Sequence, residues 1–303
     1  MVLKFGSFLF SPEKVEGFDF HVYRLKPETG VIGTPKEDMY NNIACFGDNV
    51  NAQKHPEWVA VSKDGPALRT NGKYNFRWDI LCMTNPEYRA WILDFIENAA
   101  KVASGITLSS IHFADHGFCV CPRCVELWRQ SGLNWVDWRV QTVTNFIREA
   151  RIRVKKWGKP FLVGLLPDPV LSKERFGIDF DALAPYADAF IVPIFSKSYA
   201  TAWHFETLAR SFKHVLKKPV YINIYVYGPG DKPSEVPTVS ELLKVSARVA
   251  RTGVDGILFL AENAQRLIDF QKAAIQAEET LQEISGYGSE EFMKLIDRWK
   301  KLF

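Results

Sequence analysis

Apolar and polar positions along the chain sort into short continuous runs and longer periodic stretches. Phe161–Leu166, Ala189–Phe195, Val220–Tyr227 and Gly256–Ala261 are apolar runs of strand length. Ile106–Asp115 is a further strand ahead of them. Between the runs, apolar residues recur at helical spacing. Trp91, Ile92, Phe95, Ile96 and Ala99 make one such face; Val140, Val143, Phe146, Ile147 and Ala150 make another. Phe205, Leu208, Ala209, Phe212, Val215 and Leu216 form a third, and Leu242, Leu243, Ser246 and Val249 a short fourth. Helix starts are signalled at Asn85-Pro86-Glu87 and at Thr238-Val239-Ser240. In the less regular N-terminal third, Lys4–Phe10, Asn42–Phe46 and Phe76–Cys82 read as strands.

Eight strands alternating with helices predict the α/β class and a (β/α)8 TIM barrel as a single domain. The barrel is expected over residues 1–285, with a C-terminal helix over 286–303 packed on it through Phe292, Leu295, Ile296, Trp299 and Leu302. The alternative, an open doubly wound sheet, would carry a Gly-rich phosphate turn after its first strand. Gly6 to Ser11 is no such turn.

Charge and length narrow the function classes. Lys plus Arg is 38 and Asp plus Glu is 35, a net charge of +3 over 303 residues. That balance lacks the concentrated basic face of a nucleic-acid binder. No apolar stretch approaches the roughly 18 residues of a membrane span. The first ten residues read as a strand rather than a leader, so the expected location is cytoplasmic.

Five cysteines, an odd number, argue against a disulfide framework. Three fall in Cys119-Val120-Cys121-Pro122-Arg123-Cys124, a knuckle that aims three sulfurs at one point. Cys82, at the end of the expected third strand, is the candidate fourth ligand. Four sulfurs would make a closed, structural site for zinc or another soft metal with no open position for water; the alternative is free or partly oxidised thiols that merely pack. Cys45 reads as a core residue. Queuine-type tRNA ribosyltransferases share the knuckle but complete it with a histidine, and this chain has none between His116 and His204.

Taken in order, His55-Pro56-Glu57-Trp58, Leu81-Cys82 with Asn85-Pro86-Glu87, Ile111-His112-Phe113-Ala114-Asp115 and the cysteine knuckle resemble the glycoside-hydrolase-like barrels. They are also similar to the family 42 glycoside hydrolases, the beta-galactosidases. The likeness covers about residues 42–166, with barrel rhythm beyond. It implies a cysteine after strand 3 joining the knuckle after strand 4 around zinc. It also implies that Asp115 stands at the position of the general acid/base. Two departures stand out. Ala114 replaces the residue expected before that acid, and Tyr221–Tyr227 offers no carboxylate for the expected strand-7 nucleophile.

Glycoside hydrolysis needs two carboxylates across the scissile bond, and barrel strand ends supply them. Asp115 and Glu262 are the expected catalytic pair. Asp48, His55, Trp58, Asp79, His116, Asp168, Tyr225 and Tyr227 are the expected substrate-binding residues. For Asp168 a helix-capping role is as good a reading. The expected partner is a carbohydrate, and family 42 enzymes often assemble, so a homo-oligomer fits. A rival reading keeps the fold without the chemistry: a sugar-binding barrel that has lost its strand-7 nucleophile. A third keeps the fold for a different reaction.

Overall fold

The computed structural model describes residues 2–74 and 76–303. Its strands are β1 (Lys4–Leu9), β2 (Phe20–Lys26), β3 (Tyr40–Ala44), β4 (Val61–Ser62), β5 (Gly65–Pro66), β6 (Gly105–Ser109), β7 (Phe161–Gly164), β8 (Ala189–Pro193), β9 (Val220–Tyr227) and β10 (Gly256–Ala261). The helices are α1 (Asn49–Lys54), α2 (Pro86–Val102), α3 (Pro122–Ser131), α4 (Trp135–Lys155), α5 (Ser172–Phe176), α6 (Phe180–Leu183), α7 (Ala202–Val215), α8 (Val239–Ala250), α9 (Ala264–Gln276), α10 (Glu278–Ser285) and α11 (Glu290–Lys300). Eight strands close into a barrel in the order β1-β10-β9-β8-β7-β6-β3-β2, while β4 and β5 form a separate small antiparallel pair. The expected (β/α)8 fold is therefore present. Its pairings are parallel, which explains why strands such as β10 are apolar on both faces.

The chain divides into two compact units, residues 1–24 with 189–303, and residues 25–188. In the first, β1 lies between β10 and the start of β2. The C-terminal helix α11 belongs to that unit's core. The Trp299 ring is fully buried and meets Phe18, Phe259 and Phe270 at 5.7, 6.2 and 5.7 Å. Thr238 opens α8 with a capping box closed by Glu241, so the signalled start is real.

The second unit carries β3, β6 and β7 in parallel register, with α2 and α4 packed against it. Two expectations need correction here. The second barrel strand is β2, which the sequence reading left out, and Phe76–Cys82 is not a strand. Among the described residues that segment makes single bridges only, Ile80 to Gly47 and Leu81 to Val59. Its apolar end is explained by packing, since Ile80 to Met83 are all buried. Strand β6 is also shorter than expected. Ser110 takes φ of +51°, which turns the chain out of the sheet, and Ile111–Asp115 follows as irregular backbone.

Strand β2 was hidden by its polar residues, His21, Arg24 and Lys26. Lys26 is entirely buried. Its Nζ donates to the carbonyls of Ala44 and Gly47 at 2.6 and 3.2 Å and pairs with Asp48 at 3.1 Å. Burial pushes the Lys26 amine down while Asp48 offsets this. Lys26→Met should therefore cost about 3–5 kcal/mol of stability, by leaving Asp48 buried without its cation. Adding Asp48→Asn should recover part of that loss. Urea unfolding of the two variants checks this, and equal losses in both would contradict it.

Candidate active site and cysteine cluster

The candidate residues of the second unit stand on the segments that leave β3, β6 and β7 at their C-terminal ends. Asp115 lies six residues past β6. Its carboxylate accepts from the His116 amide at 2.7 Å, from His116 Nδ1 at 3.1 Å and from Arg175 Nε at 3.5 Å. Burial raises its carboxyl, but these donors outweigh it and hold the group below the ordinary carboxylate range. The side chain is one-quarter exposed. Asp168, past β7, accepts from the amides of Val170 and Leu171 at 3.1 and 2.8 Å and from Arg175 Nη1 at 3.0 Å. Its carboxyl is likewise lowered, by those amides and Arg175 against the effect of burial. Asp168 thus shapes the turn into α5, and one guanidinium also ties it to Asp115.

Arg139 sets this pair in place. It lies on α4, fully buried, with its guanidinium 4.7 Å from the Phe113 ring centroid. It donates to the carbonyls of Asp115, Glu174 and Arg175 at 2.7, 2.7 and 2.6 Å. The two backbone segments that carry Asp115 and Arg175 are therefore held by one buried side chain. Arg139 was missed because it reads as one more cation on an amphipathic helix. Arg175 was missed because isolated surface arginines carry no pattern.

The other expected residues divide by burial. Asp48 is fully buried, caps α1, and is taken up by Lys26, Asn51 and the Tyr88 hydroxyl. Asp79 is also buried and is held by Arg69 through its backbone and side chain. His55 and Trp58 are partly exposed and stack at 3.7 Å with rings 8° apart. His116 is exposed, and its carbonyl accepts from the Trp135 indole at 3.1 Å.

Glu262, Tyr225 and Tyr227 belong to the other unit. Glu262 directly follows β10, and Asn263 after it caps α9. The β9–β10 register slips at Ala261, which pairs with Tyr227. The Tyr225 hydroxyl donates to the Asp231 carboxylate, and that of Tyr227 to the Asp231 carbonyl at 2.6 Å. The Arg266 guanidinium sits 3.9 Å from the Tyr227 ring centroid.

Cys82, Cys119, Cys121 and Cys124 lie together, with all four sulfurs within 4.8 Å of one another. Cys82 Sγ is 3.8 Å from Cys121 Sγ and 3.4 Å from Cys124 Sγ, and no cysteine is in a disulfide. Such spacing fits tetrahedral ligands to one ion, whose sulfurs sit roughly 3.7–4 Å apart at a metal–sulfur distance of about 2.3 Å. Donors already face the sulfurs: the Val61 amide to Cys119 at 3.3 Å, the Cys124 amide to Cys121 at 3.4 Å, and the Thr84 hydroxyl 3.2 Å from both Cys82 and Cys124. Sulfur hydrogen bonding, first from Cys119, lowers the Cys121 thiol. The cluster also ties down the loop of Trp58, because Cys82 donates its amide to the Trp58 carbonyl at 2.7 Å. Cys45 is a fully buried core thiol, raised by burial.

His112 is a further buried group that the sequence reading did not single out. Its Nδ1 donates to the Phe113 carbonyl at 2.8 Å, and burial pushes the imidazole down to about 4 from 6.5, with Glu28 opposing and Arg139 adding to the shift. Between those two values the unfolded chain binds a proton that the folded chain refuses. Stability should therefore fall as pH drops from about 6.5 towards 4, by roughly 3 kcal/mol for this one group. His112→Asn should flatten that part of the stability–pH curve, read by urea unfolding across the window. An unchanged slope would contradict the assignment.

No known protein-family profile matches the chain, and no curated protein matches its sequence. The fold is shared with solved structures. An alpha-L-fucosidase isoenzyme 2 from Paenibacillus thiaminolyticus superposes with a TM-score of 0.63 at 12% identity, over 92% of this chain and 50% of that one. A GH20 exo beta-N-acetylglucosaminidase from Vibrio harveyi does so with a TM-score of 0.53 at 11% identity, over 98% of this chain and 58% of that one. The chain thus spans about half the length of those structures, and what it shares with them is the (β/α)8 barrel fold.

Proposed function

We propose that the chain is a glycoside-processing barrel in which Asp115 is the reacting carboxylate. The observation that carries this reading is the Asp115–Arg175–Asp168 array past the ends of two neighbouring barrel strands, with Asp115 accessible and held ionised. An ionised carboxylate suits a base that activates water or a nucleophile that attacks the sugar carbon. It suits a general acid at neutral pH less well, which shifts the role implied by the resemblance. The stacked His55 and Trp58 rings offer an apolar face to a sugar ring. Zinc on Cys82, Cys119, Cys121 and Cys124 completes the proposal as a structural ion. It takes no part in the reaction, since four thiolates leave it no open position. Thiolate ligation keeps with a reducing compartment such as the cytoplasm.

A second reading has its own support. Strand β9 carries no carboxylate, and Asp115 and Asp168 are both paired with Arg175. A sugar-binding barrel without turnover would look the same. Incubating metal-replete protein with 4-nitrophenyl α- and β-glycosides separates the two. Release of nitrophenol from at least one supports the enzyme, whereas saturable binding without release supports the binding barrel.

A further inference from the structure

Beside the segment that carries Asp115, buried polar atoms without partners gather around one ring. Phe76 lies 5.6 Å from the Tyr74 ring, 5.1 Å from Trp78 and 5.1 Å from His112. Each of those three carries a buried polar atom that finds no hydrogen-bond partner among the described residues: Tyr74 Oη, Trp78 Nε1 and His112 Nε2. An unsatisfied buried polar atom ordinarily costs about 1–3 kcal/mol, so three around one ring call for an explanation. The chemistry of the three differs. His112 donates through Nδ1 and is uncharged near neutrality, so Nε2 is an acceptor. Trp78 Nε1 can only donate, and Tyr74 Oη can do either.

A carboxylate adjoins them. Glu28, two residues past β2, accepts from the Ser110 hydroxyl at 3.0 Å, and Ser110 is the residue held at φ of +51°. Such backbone strain outside glycine concentrates where ligands are handled. Gly47 allows the approach. A Cβ there would lie 2.8 Å from Glu28 Cγ, 2.9 Å from the Trp78 ring and 3.0 Å from Ser110 Oγ. Glu28, Trp78 and Ser110 therefore meet at a point where the chain has no side chain. Glu28, Phe76 and Trp78 are only partly buried, which leaves an open side.

We propose that Glu28, Tyr74, Phe76, Trp78, Ser110 and His112 form a binding subsite for a neutral monosaccharide ring. Alternating donors and acceptors take its hydroxyls, and Phe76 packs on its face. A carboxylate beside an uncharged imidazole disfavours an anion, and the tryptophan N–H and imidazole lone pair suit the two roles of a hydroxyl. The proposal deepens the glycoside-processing reading and rests on it for the class of ligand.

Tyr74→Phe and Trp78→Phe test it: the first deletes the hydroxyl and keeps the ring, and the second deletes the indole N–H together with part of the ring. An unpartnered buried hydroxyl does not stabilise the ligand-free fold, so Tyr74→Phe should not lower the melting temperature, whereas Trp78→Phe also loses packing against Phe76 and is read by sugar affinity. Each should weaken the binding of the best ligand among D-glucose, D-galactose, L-fucose and N-acetyl-D-glucosamine by about tenfold, read by calorimetry. Variants that bind that sugar as well as the wild type would overturn the subsite, even where the protein cleaves a nitrophenyl glycoside. Weakened binding in a protein that cleaves none would uphold the subsite while removing the hydrolase reading. A wild type that binds none of the four sugars into the tens of millimolar would overturn the proposal.

Discussion

Stripping the metal from the purified protein should lower its melting temperature by about 10 °C, and the metal-replete chain should hold one zinc ion. Structural zinc sites are worth on the order of 10 kcal/mol in small peptides. Here the barrel has its own core, so a smaller part of that, about 5 kcal/mol, should appear as stability. For a chain of this size that converts to about 10 °C. The loss has a definite place. Val61 reaches the Cys119 sulfur, and Cys82 anchors the Trp58 carbonyl, so the cluster holds β4 and the His55–Trp58 loop against the start of α3. Cys82→Ala and Cys124→Ala should reproduce the loss without chelator. Cys45→Ala should cost only about 1 kcal/mol, the effect of a small cavity in the core. Elemental analysis and calorimetry with and without chelator read all of this. A metal-free protein with paired disulfides among these cysteines would contradict it.

Asp115→Asn should reduce turnover by about 10²- to 10⁴-fold while leaving the fold intact. The amide keeps the shape and the approach of the His116 amide, but loses the charge that activates water or attacks carbon. The backbone should not shift, because Arg139 holds Asp115 through its carbonyl, which the substitution leaves untouched. Arg175 keeps Asp168 as its partner. Asp168→Asn should act more weakly, through Arg175 and the turn before α5. Near-full activity in Asp115→Asn, on a substrate that the wild type turns over, would show the assignment to be wrong.

Periodicity exposed the barrel best where strands are apolar on both faces, as in β7 to β10. It failed at β2, whose buried Lys26 is tolerated only because Asp48, in a distant stretch of sequence, supplies the counter-charge. It also read Phe76–Cys82 as a strand, since buried loop residues and strand residues are alike in composition. The missed strand and the false one offset each other, so eight strands were still expected. The cysteine knuckle was legible because its thiolate spacing is local and chemically specific, whereas Cys82 was picked as the end of a strand that the structure does not form. The carboxylates were harder. Asp48 and Asp115 look alike in sequence, yet one is sealed by Lys26 and Tyr88 while the other is accessible beside His116 and Arg175. Glu28 escaped notice with the strand that precedes it. His112 could be found only from its surroundings.

The central claim is tested most directly by nitrophenol release from a panel of 4-nitrophenyl glycosides, with wild type and Asp115→Asn assayed side by side in their metal-replete forms. The account predicts that the wild type cleaves at least one glycoside and that the variant loses at least about 10²-fold in kcat on it. A wild type inert towards the whole panel, or a variant as fast as the wild type, would contradict it.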